Sequence, residues 1–491
     1  MRVKRQTRIC GNYVRGKWIE RGQGGQFEQR NPADLSHVTT MFPLCGKEDY
    51  QEAVAASAEA FPAWSKLNVH ERGRILQRAL SLMRERVGRI AAAITLQNGK
   101  TLKESRAEVS SAIAEMEFQI SQARSTLGEL RPSNSEGVLA YSMRQPLGVV
   151  AAIVPWNFPF NVPTRKCVPA LMAGNSVVLK SASLTPLVGY EFAKLFEEAG
   201  LPPGVLNFVT GPGALFGEAV LTDRRLKAVS FTGSTVVGRK INALAARNMV
   251  RCQLEMGGKN ALVVLEDADL GAALDAAITA AFACAGQWCT STSRLILTSA
   301  IADSFVAELV RRAERLKVGD GFAASTDMGP VCGVEQERAV LDYIRLGKSK
   351  GAQLLCGGKK LVSGSLRKGC FIAPTIFDHV DPRMRIAQEE VFGPVLCVIR
   401  VSDFEEACAV LNDSSYGLSS SIYTADLAKA MHFVQTVQTG LTHVNMHTAY
   451  KEPSLPFGGV KDSGAGLPEA GRTGLEFFTE LKSVYLKPGN R

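Results

Sequence analysis

The feature that most constrains this chain begins at Val149. From there, short β-branched runs alternate with longer amphipathic stretches, the signature of βαβ units and a parallel sheet. Runs over 148–154, 176–180, 205–209 and 227–231 predict four strands. The stretch 186–200 predicts a helix, with Val188, Phe192, Leu195 and Phe196 at helical spacing and Gly200 as its stop. Four strands joined by helices make a doubly wound sheet. A second α/β series opens over 261–265 and continues through strands near Leu295 and over 395–401, 419–423 and 441–445. Two sheets predict two large lobes. A helical region over 49–127 precedes them. Between it and the first sheet, the polar segment 131–145 carries a strand at 138–143 with no crossover helix, and with a C-terminal strand at 483–486 it predicts an accessory two-part sheet.

A chain of 491 residues exceeds what one core serves, and roughly three domains are expected. With 46% apolar and 21% charged residues it is neither disordered nor a small disulfide scaffold. The longest apolar runs, over 149–160 and 272–285, are cut by Pro155, Pro159 and Asp275, short of the roughly 18 uninterrupted residues of a membrane span. The basic start, residues 1–8, imitates a signal peptide, but Gly11, Asn12 and Arg15 stand where its apolar segment belongs. Eleven cysteines without C-x-x-C spacing fit a reducing compartment, so a cytoplasmic protein with no membrane partner is expected. His443 and His447 lie in a segment that alternates like a strand, which puts them off a common helical face; no metal site is expected. The net charge of +10 is interspersed rather than gathered into a stripe with aromatic residues, and no nucleic-acid partner is expected.

Two glycine turns follow strands and open helices, where backbone N–H groups can cradle an anion. The turn 211–217, with Gly211 and Gly213, has one residue too many for the dinucleotide fingerprint. The turn 233–238, with Gly233, Ser234 and Gly238, is wider still, yet Glu255 lies about 20 residues on, where the rule places a ribose-binding carboxylate.

Seven segments together resemble the aldehyde dehydrogenase superfamily, in the right order over nearly the whole chain: Pro155-Trp156-Asn157-Phe158-Pro159, Val178-Leu179-Lys180, Phe231-Thr232-Gly233-Ser234, 254–260, Gly286-Gln287-Trp288-Cys289-Thr290, 390–394 and 456–459. The resemblance implies a Rossmann-like coenzyme domain (1–127 and 147–257), an α/β catalytic domain (258–457) and a small β oligomerisation element (128–146 and 474–491), assembled as a homodimer or homotetramer. It implies Cys289 as nucleophile. An aldehyde must become tetrahedral before it can release hydride, and a thiolate both adds well and later leaves from a thioester. Asn157 and the backbone N–H of Cys289 are implied as oxyanion donors, and Glu255 as the base that activates water, which displaces the ribose reading of that residue. A base here favours hydrolysis to a free acid over acyl transfer to coenzyme A. Cys284 is expected to be a packed bystander.

The coenzyme contacts implied are Trp156, Lys180, Gly213, Gly233, Ser234, Glu390 and Phe392. Where NAD-preferring members carry Glu three residues after the lysine, this chain has Ser183, which removes a carboxylate that would repel a 2′-phosphate. NAD or NADP is expected, with NADP favoured. Arg165, in Thr164-Arg165-Lys166, matches the arginine that faces the substrate carboxylate in succinate semialdehyde dehydrogenases, and a guanidinium fork suits a carboxylate. The second arginine of those enzymes, six residues before the nucleophile, is here Ala283, and the run 288–294 looks more like 2-oxoglutarate semialdehyde (2,5-dioxopentanoate) dehydrogenases. The expected substrate is a short aldehyde with a carboxylate tail. The alternatives are non-phosphorylating oxidation of a phosphorylated aldehyde, a broad-range aliphatic enzyme, or a catalytically silent homologue. Silence normally shows as loss of the nucleophile, base or oxyanion donor, and Cys289, Glu255 and Asn157 are all present.

Overall fold

The computed structural model describes residues 7–125 and 128–489. Residues 1–6 of the basic start, the last two positions of the helical region expected to end at 127, and residues 490–491 of the accessory element lie outside the described residues.

Five parallel strands form the centre of an eight-stranded sheet, in spatial order Arg251–Glu255, Leu226–Thr232, Val149–Ile153, Ser176–Lys180 and Leu206–Val209. Four of these follow the hydrophobic pattern; Arg251–Glu255 is an addition. Short antiparallel strands finish both edges, Gly464–Ala465 on one side and Asn12–Val14 with Lys17–Ile19 on the other. Ser176–Lys180 and Leu206–Val209 are buried throughout, which is why they read as continuous runs rather than alternating ones. Their period of two still decides the packing. Val177 and Leu179 face a core with Leu171 and Phe192, whereas Val178 faces the opposite core with Val54 and Phe216.

The second sheet has seven strands, in order Gln353–Cys356, Thr375–Asp378, Val395–Val401, Arg294–Thr298, Ala261–Val264, Ser419–Tyr423 and Leu441–Val444, all parallel except the first. The accessory sheet is three-stranded: Leu139–Pro146 pairs antiparallel with Thr479–Leu486 over its whole length and with Leu130–Arg131 on the other side. Among the described residues, no helix is long and apolar enough to cross a membrane.

The strand order of the first sheet places the site. The chain steps outward one way from Val149–Ile153 and then returns to its other side at Leu226–Thr232, making a topological switch point between these neighbours. Ligands of doubly wound sheets bind outside the carboxyl ends of the strands at such a point. Trp156-Asn157 follows one of the two strands and Gly233-Ser234 the other. The loops that enter strands of the second sheet, carrying Cys289 before Arg294–Thr298 and Glu390 before Val395–Val401, line the same cleft.

Candidate active site

A cavity of about 310 Å³ occupies this cleft, with Cys289, Asn157, Arg165, Trp156, Glu390 and Phe392 in its wall. Ser234 and Gly233 line it too. Cys289 arrives there on a contorted loop. Cys284, Ala285 and Gly286 all have left-handed backbones, with φ of 52°, 54° and 67°. For the two non-glycine residues this costs roughly 1–2 kcal/mol each. Gly286 is obligatory, since a Cβ there would lie 2.1 Å from the carbonyl oxygen of Gly393. Fixed polar contacts offset the strain. The Cys284 N–H donates to Glu104 Oε1 (2.6 Å), and Asn260 Nδ2 donates to the carbonyls of Cys289 (2.8 Å) and Ser291 (2.9 Å). Cys284 is buried in this role, in line with the expectation of a packed bystander.

Asn157 is pinned against the same loop. Its Nδ2 donates to the carbonyl of Gln287 (3.1 Å), using one of the two N–H bonds of the amide. Lys100, which the sequence did not single out, holds the backbone beneath it: Nζ donates to the Asn157 carbonyl (2.6 Å) and to Glu108 Oε2 (2.9 Å). Glu108 Oε1 accepts from the N–H groups of Phe160 and Asn161 (2.8 and 3.2 Å). The pair is fully buried, so it acts as a fixed peg rather than a solvated bridge.

Glu255 ends the unexpected strand. It is 4% exposed, and its Oε2 has no hydrogen-bond partner among the described residues. Burial, and then the neighbouring Glu469 carboxylate, hold its carboxyl well above the usual range, against the opposing pull of Lys166 and Arg165. Lys166 Nζ donates to Glu469 Oε1 and to Ser230 Oγ (2.8 Å). Burial lowers the Lys166 ammonium. Glu469 was not anticipated. The Cys289 thiol is pushed up to about 12 by burial, with Arg165 pulling down and Glu390 and Glu255 pushing up. Burial thus favours the thiol form of Cys289 over the thiolate.

Arg165 belongs to the buried helix Asn161–Ala173. Pro169 lacks the N–H that would bond the Arg165 carbonyl, and the helix tolerates this within the core. The guanidinium stacks over Phe457, with Cζ 4.3 Å from the ring centroid, and Nη2 donates to Asn161 Oδ1 (3.0 Å). Its nearest carboxylates are Glu469 (3.6 Å) and Glu115 (3.9 Å).

At the other end of the cleft, Ser234 caps the helix Thr235–Ala246, its Oγ accepting from the Val237 N–H (3.4 Å). Trp156 and Phe392 meet edge to face at 5.3 Å. Glu390 Oε1 accepts from the Gly258 N–H (3.1 Å), and burial moves its carboxyl up to about 7. A Cβ at Gly257 would come within 2.2 Å of Glu390 Oε2, so the glycine permits this contact. Lys180 and Ser183 do not line the cavity. Lys180 pairs with Val209 at the strand end before the Gly211–Gly213 turn, and Ser183 Oγ donates to the Gly211 carbonyl (3.2 Å). Gly213 opens the helix Gly213–Leu221, and a Cβ there would meet nothing within 4 Å, so no protein contact explains that glycine.

The aldehyde dehydrogenase family model matches residues 18–484. The chain belongs to the aldehyde dehydrogenase family. It is 41% identical over 477 residues to the alpha-ketoglutaric semialdehyde dehydrogenase of Bacillus subtilis strain 168, covering 97% of this chain and 98% of that protein. It is 41% identical over 472 residues to the 2,5-dioxopentanoate dehydrogenase of Saccharolobus solfataricus, covering 96% and 98%. The crystal structure of a betaine aldehyde dehydrogenase from Staphylococcus aureus in complex with NAD+ superimposes with a TM-score of 0.95 at 33% identity, covering 98% of this chain and 95% of that one. An aldehyde dehydrogenase is an NAD(P)-dependent oxidoreductase, and this cleft suits such a coenzyme: a capped helix N-terminus offers N–H groups for a pyrophosphate, a carboxylate rests on glycine backbone, and an aromatic pair flanks the site.

Proposed function

We propose that this aldehyde dehydrogenase oxidises a short aldehyde bearing a distal carboxylate to the free acid, with 2,5-dioxopentanoate (2-oxoglutarate semialdehyde) as the substrate and succinate semialdehyde as its nearest competitor. The observation that carries the reading is Arg165. It shares one cavity with Cys289, yet among the described residues its fork of donors makes a single hydrogen bond, to a neutral amide, its Nε makes none, and its two nearest carboxylates stand off at 3.6 and 3.9 Å. A carboxylate is the group such a fork accommodates best. The names of the two relatives agree with this choice.

In this reading Cys289 releases its proton to solvent and its sulfur adds to the aldehyde carbon as the carbonyl π pair moves to oxygen, forming a thiohemiacetal. Asn157 Nδ2 and the backbone N–H of Cys289 receive the charge that develops on oxygen, where one preorganised donor contributes about 3–4 kcal/mol. The nicotinamide coenzyme, when bound, supplies the hydride acceptor. Glu255 then takes a proton from water, which attacks the thioester, breaks the carbon–sulfur bond and releases the acid. A carboxyl held above its usual range is a stronger base than an ordinary one, and Glu255 is so placed.

NADP is the preferred coenzyme in this proposal, because Ser183 stands where a carboxylate would repel a 2′-phosphate. Lys180, Ser234, Glu390, Phe392 and Trp156 hold the coenzyme. The protein works in the cytosol as a homodimer or homotetramer joined through the accessory sheet, whose Leu130, Leu139, Leu481 and Tyr485 are exposed. The test is a steady-state panel of 2,5-dioxopentanoate, succinate semialdehyde and pentanal against both coenzymes, with wild type and Arg165→Ala. Arg165→Ala is expected to raise KM for the acidic aldehydes about 30-fold or more and to raise KM for pentanal far less. Equal losses on all three remove the substrate reading. A kcat/KM for NAD about tenfold above that for NADP, a difference of about 1.4 kcal/mol, removes the coenzyme preference.

A further inference from the structure

The cavity holds a second basic side chain, which carries no local motif. Lys451 lies on the loop after the strand Leu441–Val444 and lines the same wall as Cys289 and Arg165. His443 fixes this loop, its ring bridging the backbone carbonyls of Ser420 (2.9 Å) and Tyr450 (3.0 Å). Lys451 Nζ donates to Asn161 Oδ1 at 2.8 Å. Arg165 Nη2 donates to the same oxygen at 3.0 Å. The two cationic nitrogens are therefore no more than 5.8 Å apart, the sum of those bonds, and one neutral amide oxygen serves both.

Charge is poorly balanced there. Among the described residues, Lys451 has no carboxylate within 4 Å, and Arg165 has two only at 3.6 and 3.9 Å. The groups facing Lys451 are Arg165 from the helix Asn161–Ala173, Glu115 and Glu108 from the helix Leu102–Ser125, and Cys289. Burial and Arg165 together push its ammonium down to about 7, the mark of a cation short of compensating charge. Glu115 faces Lys451 from beyond ion-pair distance and comes no nearer than 3.9 Å to Arg165.

We infer that Lys451 and Arg165 form a two-cation seat for the distal carboxylate of the aldehyde, with the carboxylate taking over the place of Asn161 Oδ1 as their common acceptor. This rests on the substrate class proposed above and adds the residue that enforces it. The seat restores a second cation in a chain with Ala283 where succinate semialdehyde dehydrogenases carry theirs, and brings it from a different loop.

The test compares Lys451→Met and Lys451→Arg with wild type, using 2,5-dioxopentanoate and pentanal as substrates and glutarate as a competitive inhibitor. Lys451→Met is expected to raise KM for the acidic aldehyde about 30-fold, as loss of a hydrogen bond to a charged group does. Inhibition by glutarate should weaken to match, and kcat/KM for pentanal should stay within about threefold. Lys451→Arg should recover most of the acidic activity. If Lys451→Met fails to fold, Lys451→Gln serves with the same readouts. A wild type indifferent to the carboxylate overturns the substrate class and the seat together. A wild type that prefers the acidic aldehyde, with a Lys451→Met that keeps this preference, overturns the seat alone.

Discussion

Two buried charge clusters flank Cys289, built from the same ingredients and unbalanced in opposite directions. On the water side, Glu255 and Glu469 crowd Lys166, with Arg165 standing off at 3.6 Å from Glu469, and Glu255 Oε2 has no hydrogen-bond partner among the described residues. On the tail side, Arg165 and Lys451 crowd one amide, Asn161, and among the described residues no carboxylate comes within hydrogen-bond distance of either cation. Surplus negative charge in a dry site makes a base, because the proton is held more tightly than in water. Surplus positive charge makes a binding site for an anion. Adjacent residues of one helix, Arg165 and Lys166, supply a cation to each cluster. In the proposed mechanism neighbouring residues of one helix thus serve proton chemistry and substrate recognition, and Glu469, which faces both Arg165 and Lys166, links the two clusters.

The largest way to break this contrast is Glu255→Gln. The amide keeps the volume and removes the base, so cysteine addition and hydride release proceed once while the thioester persists. The expected result is a burst of reduced coenzyme, near one per active site, followed by a steady state about 10²–10⁴-fold slower than wild type. Steady-state loss without a burst would place Glu255 before hydride transfer instead. In wild type, the steady-state rate should fall as pH drops through the raised range of Glu255, since only the ionised carboxylate accepts a proton.

On the tail side a smaller effect is expected from Phe457→Leu. Phe457 supports the Arg165 guanidinium through its ring face and packs in the small cluster beside Cys289. A desolvated cation–π contact contributes about 1–2 kcal/mol, so KM for the acidic aldehyde should rise about 5- to 30-fold while kcat stays within twofold. A fall in kcat with KM unchanged would instead mean that Phe457 serves the nucleophile.

Much of this was legible in the sequence, and the omissions have physical causes. The strands 176–180, 395–401 and 419–423 are predicted at their observed bounds; the first two are rich in β-branched residues, as buried parallel strands are, whereas 419–423 carries only Ile422. Arg251–Glu255 is not predicted. Its Gln253 is buried through hydrogen bonds with Ser230 Oγ and the Pro468 carbonyl, a satisfied polar residue that no hydrophobic pattern registers. Cys289 and Asn157 carry local motifs and share the cavity. Glu469 has no such signal: it reaches Lys166, 303 residues away, because the neighbouring strand Gly464–Ala465 docks on Arg251–Glu255. Lys451, within Tyr450-Lys451-Glu452-Pro453, reads locally as a solvated loop, and only the tertiary fold buries its ammonium against Asn161.

The smallest expected effect separates the clusters by stability rather than by rate. The folded-state carboxyl of Glu255 sits above its unfolded value, so over the interval between the two the native state holds a proton that the unfolded chain has released. Stability therefore declines as pH rises through that interval, and above it the full cost of the buried carboxylate is expressed. Lys166 has the opposite slope: its lowered folded value makes the native state bind fewer protons than the unfolded chain below the ordinary lysine range, so it favours folding as pH rises. Both proteins retain Lys166, and the difference between Glu255→Gln and wild type removes most of its contribution. Glutamine stays neutral at every pH, so the variant should be the more stable of the two, by little at pH 5 and by more at pH 9. Each 1 kcal/mol corresponds to about 2–4 °C in Tm for domains of this size, and a gap that widens by a few degrees is expected from thermal denaturation at the two pH values. A constant gap would mean that Glu255 is compensated in the fold as well as it is in water, and the contrast with the tail cluster would lose its physical basis.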